Sequence, residues 1–193
     1  MIRRGRLVLT IAAAGLALAP ASAAAVPCAD VAAYPGDGAA RTAIAQWMAY
    51  GASLATTPRE LPVMGALVES GLTNLHSGDV DSVGYFGMRL GIWNRGAYAG
   101  YPENPSLQLK WFLDQATAVR KKRLAGGAPD PATDERQWGD WIADVVTAPA
   151  NLRGRYQLRL AEARTLVDEP CAPPPVPGAP LPPPAPPPAP SSP

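Results

Sequence analysis

Apolar residues recur at helical spacing along most of this chain, and no alternating run is long enough for a substantial strand. Between Arg41 and Ala55, the residues Ile44, Trp47, Met48 and Gly51 share one face. Thr57-Pro58-Arg59-Glu60 then reads as a capping box with Pro58 at the first helical position. The helix it opens is expected to reach Ser70 and stop at Gly71, with Met64, Leu67 and Val68 buried and Pro62 bending or shifting its first turn. From Leu72 to Gly100 the pattern breaks. Glycines stand at 78, 84, 87, 91, 96 and 100 with aromatics between them, which predicts an irregular loop with brief helical turns or short strands. Asn104-Pro105 supplies a cap and a first-turn proline. The stripe Leu107, Trp111, Phe112, Ala116 and Val119 predicts a helix to about Arg123. Residues 126–133 read as a link, and Trp138, Trp141, Ile142 and Val145 mark another helix. After Pro149, the stripe Leu152, Tyr156, Leu160, Ala163 and Val167 predicts a last one. The class is mainly α, with Trp47, Trp111, Trp138 and Tyr156 assigned to the core.

The two ends read differently. Arg3, Arg4 and Arg6 precede an apolar run from Leu7 to Ala19, followed by Pro20 and the small-x-small triplet Ala21-Ser22-Ala23. That order is the signature of an export signal over residues 1–23, and the run is short for a bilayer span. The expected location is secreted and extracytoplasmic. Cleavage would leave 14 basic against 16 acidic residues, a balance with no electrostatic pull toward nucleic acid. Residues 172–193 hold 13 prolines, so they cannot build a core and are expected to be an extended, disordered tail. Its partner is unknown. Cys28 and Cys171, the only cysteines, flank the remaining region. In an exported chain the simplest reading is one disulfide joining the ends of a single domain, 28–171, with two free thiols as the alternative. Such a bridge stabilises by at most about 4–5 kcal/mol through chain entropy. His76 is the single histidine and no second thiol lies nearby, so no metal site is expected.

Glu69 is the leading candidate for chemistry. It ends an apolar helix in GALVESGL, and a carboxylate beside such a surface loses hydration when charged, which raises its pKa. A carboxylic acid of that kind can protonate a leaving oxygen. The alternative is a solvent-facing residue of an amphipathic helix. The following loop gathers Tyr85, Phe86, Trp93, Tyr98 and Tyr101, with Ser70, Asn74, Arg89 and Asn94 as polar companions. Aromatic platforms with amide and hydroxyl partners suit a sugar-binding groove; the alternative is a satellite core under a long loop. Asp79 and Asp81 are possible second carboxylates for glycoside hydrolysis, or caps of local turns.

Glu69-Ser70-Gly71 followed by GDVDSVGYF at 78–86 resembles the lysozyme-like soluble lytic transglycosylases, including their compact secreted and phage-tail-associated relatives. The resemblance is most specific over residues 62–90. It implies a lysozyme-like helical domain with a glycine-rich active-site loop. Glu69 would be the catalytic glutamate at a helix end, and Gly84-Tyr85-Phe86 would begin the family's glycine motif. Where that motif carries glutamine this chain has Gly87, followed by Met88 and Arg89. Tyr156 stands, by its C-terminal position, for the late tyrosine that lines the family cleft. The implied activity is cleavage of peptidoglycan between N-acetylmuramic acid and N-acetylglucosamine with 1,6-anhydro ring formation, Glu69 serving as acid and then base. A hydrolytic muramidase using Asp79 or Asp81, and a noncatalytic wall-binding protein on the same fold, are the alternatives.

Overall fold

The computed structural model describes residues 31–78 and 80–169. The expected export signal, Cys28, Asp79, Cys171 and the proline-rich stretch lie outside the described residues. The elements are helix α1 (Arg41–Leu54), helix α2 (Leu61–Glu69), strands β1 (Ser82–Val83) and β2 (Met88–Arg89), and a one-turn helix α3 (Leu90–Trp93). Helices α4 (Pro105–Ala125), α5 (Trp138–Val145) and α6 (Leu160–Asp168) follow, with several 3-10 turns between them. The fold is mainly helical with one two-stranded antiparallel sheet, in which Ser82 pairs with Arg89 and Val83 with Met88.

Helix α2 is the axis of the core. Every residue from Leu61 to Leu67 is buried, and α2 packs against α1, α4, α5 and α6. A helix apolar on all sides is stable only when enclosed, and this one is. Gly65 sets its distance from α4: a Cβ there would lie 2.9 Å from the Phe112 ring. The capping box expected at Thr57 does not form. Thr57 Oγ1 donates back to the Ala55 carbonyl instead, and the helix begins at Leu61 with Pro62 in its first turn. There the missing N–H leaves no hydrogen bond unmade, so Pro62 starts the helix rather than bending it.

Helix α4 follows its sequence signals closely. Asn104 accepts from the Ser106 and Leu107 N–H groups at 3.1 and 3.3 Å, and Pro105 opens the first turn. The tryptophans assigned to the core are there, with Trp47, Trp111 and Trp138 buried and Trp141 wholly enclosed. The last apolar stripe is not one helix. Residues Ala150–Arg155 and Gln157–Arg159 are 3-10 turns, and α6 begins only at Leu160. The cause is close packing on the start of α5. Gly139 lies against Gln157 with no room for a Cβ, and its N–H donates to Gln157 Oε1 at 2.8 Å.

One buried amide holds the glycine-rich loop. Gln108 is fully enclosed on α4. Its Oε1 accepts from the Tyr85 N–H at 2.8 Å, while Nε2 donates to Asn74 Oδ1 and the Tyr101 carbonyl at 3.0 and 3.1 Å. Gly84 permits this approach: its φ is +79° and a Cβ would sit 2.5 Å from Gln108 Oε1. Asn74 in turn donates to Asp37 at 2.9 Å, and Tyr34 bonds both Asp37 and Tyr85. A satisfied network of this kind fixes the loop, whereas a broken one leaves buried polar groups unpaired. Gln108→Leu is therefore expected to lower unfolding free energy by about 2–4 kcal/mol, because three buried partners lose their bonds. Denaturant unfolding of the two proteins measures it.

Candidate functional site

Glu69 is the last residue of α2, at the point where the buried helix meets the surface. Its side chain is half-buried. Ser70 follows as the C-cap. Its hydroxyl donates to the Ala66 carbonyl at 3.0 Å and accepts from the Thr73 N–H at 3.3 Å. Gly71, with φ +66°, then turns the chain away. The helix end is thus closed by its own residues, and the direction of the Glu69 side chain is set by a rigid element.

Two contacts define the carboxylate. The Tyr156 hydroxyl donates to Oε1 at 2.5 Å. Burial first, and then the Glu69 carboxylate, push the Tyr156 phenol well above its ordinary 10.0, so it stays protonated and remains a donor. On the other side, the position of a Cβ on Gly87 lies 3.3 Å from Oε2. Gly87 has φ +58°, and without a side chain it leaves Oε2 open. One oxygen is held by a phenol and the other faces a bare backbone.

Glu69 lies where two cavities meet. One, of about 420 Å³, is walled by the hairpin and α3 and includes Arg89, Ile92, Trp93 and Trp111. The other, of about 340 Å³, is walled by the turn after α5 and by Leu152, Arg155 and Tyr156. Glu69, Val146 and Thr147 belong to both, so together they form a groove passing the carboxylate on either side. Trp111 contributes an unusual donor. Its indole N–H is buried and has no hydrogen-bond partner among the described residues, on a side chain that lines the groove. A buried polar group left in that state is rare. Trp93 packs edge-on to Trp111, ring centroids 5.3 Å apart, and Ile92 is exposed beside it. A larger cavity, of about 540 Å³, lies at the C-terminal end of α4 and does not include Glu69. Its polar wall is made of Lys122, of Arg123 and Arg153, both paired with Asp144, and of Thr147.

The residues expected around Glu69 divide. Arg89, Trp93 and the edge of Phe86 line the groove, although the Phe86 ring is buried and stacked on Phe112 at 4.5 Å. Tyr85 does not reach it: the ring is fully buried and its hydroxyl bonds Tyr34. Asn74 is committed to Asp37 and Gln108. Tyr98 donates to Asp114 on α4. Tyr101 is core and donates to the Met88 carbonyl at 2.6 Å. Asn94 accepts from the Gly100 N–H. Ser70 shapes the helix end. Asp81 is a cap: its oxygens accept from Arg89 Nε at 2.7 Å and the Gly91 N–H at 2.8 Å, which fastens α3 to β1. Those two bonds hold the Asp81 carboxyl below its usual 3.8. Asp79 lies outside the described residues.

Sequence reasoning missed Trp111 and Thr147 as groove residues. A tryptophan on a helix stripe carries no mark of an unpaired N–H, and nothing in Asp-Val-Val-Thr-Ala-Pro announces a groove wall. Among the described residues, no group of three or more His, Cys, Asp or Glu is placed to hold a metal ion, and no helix is long and apolar enough to cross a membrane. No family model, no curated protein and no solved structure matches the chain.

Gly87→Ala tests how tightly the loop abuts the carboxylate. A methyl group 3.3 Å from Oε2, on a backbone with φ +58°, is expected to cost about 1–2 kcal/mol. Thermal unfolding should show the loss, and a crystal structure of the variant should show the Glu69 carboxylate displaced.

Proposed function

We propose that the protein is a secreted peptidoglycan lytic transglycosylase with a lysozyme-like helical domain, acting at the bond between N-acetylmuramic acid and N-acetylglucosamine. The observation that carries this reading is the carboxylate of Glu69, the one acidic group among the described residues at the junction of the two-part groove, one oxygen held by Tyr156 and the other facing Gly87. A strand laid along such a groove would cross Glu69 at a glycosidic bond.

The chemistry needs one protein carboxylate. Glu69, protonated, gives its proton to the glycosidic oxygen, and the C1–O bond of the muramic acid breaks. The substrate's own N-acetyl oxygen steadies the charge at C1. The Glu69 carboxylate then takes the proton of the C6 hydroxyl, and O6 closes on C1 to form the 1,6-anhydro ring. Glu69 ends protonated, as it began, and no cofactor is consumed. Tyr156 holds the carboxylate in place throughout. The Trp93 ring and the Arg89 guanidinium on the groove wall suit a substrate with apolar ring faces and hydroxyl and carbonyl oxygens. A muramidase would require a second carboxylate free to activate water; Asp81 is engaged by Arg89 and Gly91, and Asp79 lies outside the described residues. The absence of a side-chain amide at Gly87 favours one other reading, a wall-binding protein that holds glycan without cleaving it.

Glu69→Gln is expected to abolish turnover, by at least about a thousandfold, with the thermal transition preserved. Mass spectrometry of digested peptidoglycan separates the readings. Anhydromuramyl products support transglycosylation, reducing ends indicate hydrolysis, and retention of glycan with neither product indicates a binding protein. Undiminished activity in the variant would reject the assignment of Glu69.

A further inference from the structure

Helices α1 and α5 end the same way. In each, the residue after the C-cap has positive φ, Thr56 at 53° and Thr147 at 57°. The next N–H closes the turn: Thr57 onto the Ala52 carbonyl at 3.0 Å, and Ala148 onto Ala143 at 2.8 Å. This helix-ending motif places its turning residue in the left-handed region, where glycine is usual and a β-branched side chain is strained. Both positions carry threonine, so strain alone does not mark a function. Location does. Thr56 lies outside the groove, and its carbonyl accepts from Arg120. Thr147 is exposed and lines both halves of the groove along with Glu69, and its other side borders the larger cavity beside Arg123 and Arg153. No hydrogen bond ties its hydroxyl to any described residue.

We infer that Thr147 is a substrate-positioning residue: its hydroxyl bonds a hydroxyl or acetamido group of the glycan and holds the sugar beside Glu69. The inference rests on the glycan-cleaving reading given above. The strain is common to Thr56 and Thr147; what sets Thr147 apart is an exposed hydroxyl, without a partner among the described residues, on the same groove wall as Glu69. Nothing else in the fold requires threonine at this point, because the turn itself is made by backbone groups.

The test compares four variants on soluble, uncrosslinked glycan strands. Thr147→Gly removes the strain and the hydroxyl together. It should raise the melting temperature by about 3–6 °C and raise KM about tenfold with kcat little changed. Thr147→Val keeps the shape and the strain but loses the hydroxyl, so its KM should rise equally without the gain in melting temperature. Thr147→Ser should restore KM. Thr56→Gly is the internal control and should raise the melting temperature with KM unaltered. Wild-type KM in both Thr147→Gly and Thr147→Val would overturn the inference while leaving the transglycosylase reading intact. A wild-type protein that neither cleaves nor retains the strands would overturn both.

Discussion

The hydrogen bond from Tyr156 to Glu69 joins two parts of the chain that sequence separates by 87 residues. One is the end of the enclosed helix α2, the other the turn between two 3-10 segments, whose packing against α5 involves Gly139 and Gln157. The partner that the half-buried Glu69 side chain meets is a buried phenol. It donates one bond, stays protonated, and leaves the second oxygen unoccupied. The pairing fixes the position of the Glu69 carboxyl between the two parts of the groove.

The opposite wall depends on a different constraint. Gln108 on α4 grips the hairpin loop through the Tyr85 N–H, and Gly84 makes that grip possible. The same loop then brings Gly87 against the free oxygen of Glu69. Two glycines three residues apart therefore act at different depths: one lets the loop dock on the core, the other keeps the carboxylate uncovered. Asp81 completes the arrangement by fastening α3 to the hairpin, which carries Trp93 and Ile92 to the groove's rim. The polar loop residues that looked like substrate contacts are mostly the means by which the loop is held.

Much of the fold was legible because it follows from local chemistry. Asn104-Pro105 starts α4, and the Trp47, Trp111 and Trp138 stripes point inward, as helical periodicity implies. Glu69 at the end of an apolar helix was legible for the same reason. The start of α2 was not, because Thr-Pro-Arg-Glu satisfies the capping pattern while the helix begins only where the core encloses it, at Leu61. The broken last helix was not legible either: the stripe from Leu152 to Val167 keeps helical spacing, and only contact with α5 converts its first half into 3-10 turns. Around the site, Tyr85, Asn74 and Tyr98 have the composition of a sugar platform, but tertiary partners claim them. An unpaired donor on Trp111 and a strained Thr147 are properties of a folded surface and leave no trace in spacing.

The proposed activity requires a glycan strand to lie across Glu69 with sugars in both halves of the groove. A crystal structure of the protein with a bound muropeptide-bearing glycan fragment tests it most directly. The account predicts a glycosidic oxygen within hydrogen-bond distance of Glu69 Oε2, with the Tyr156 bond to Oε1 retained. A fragment seated in the cavity beside Arg123 and Arg153, with Glu69 untouched, would contradict it.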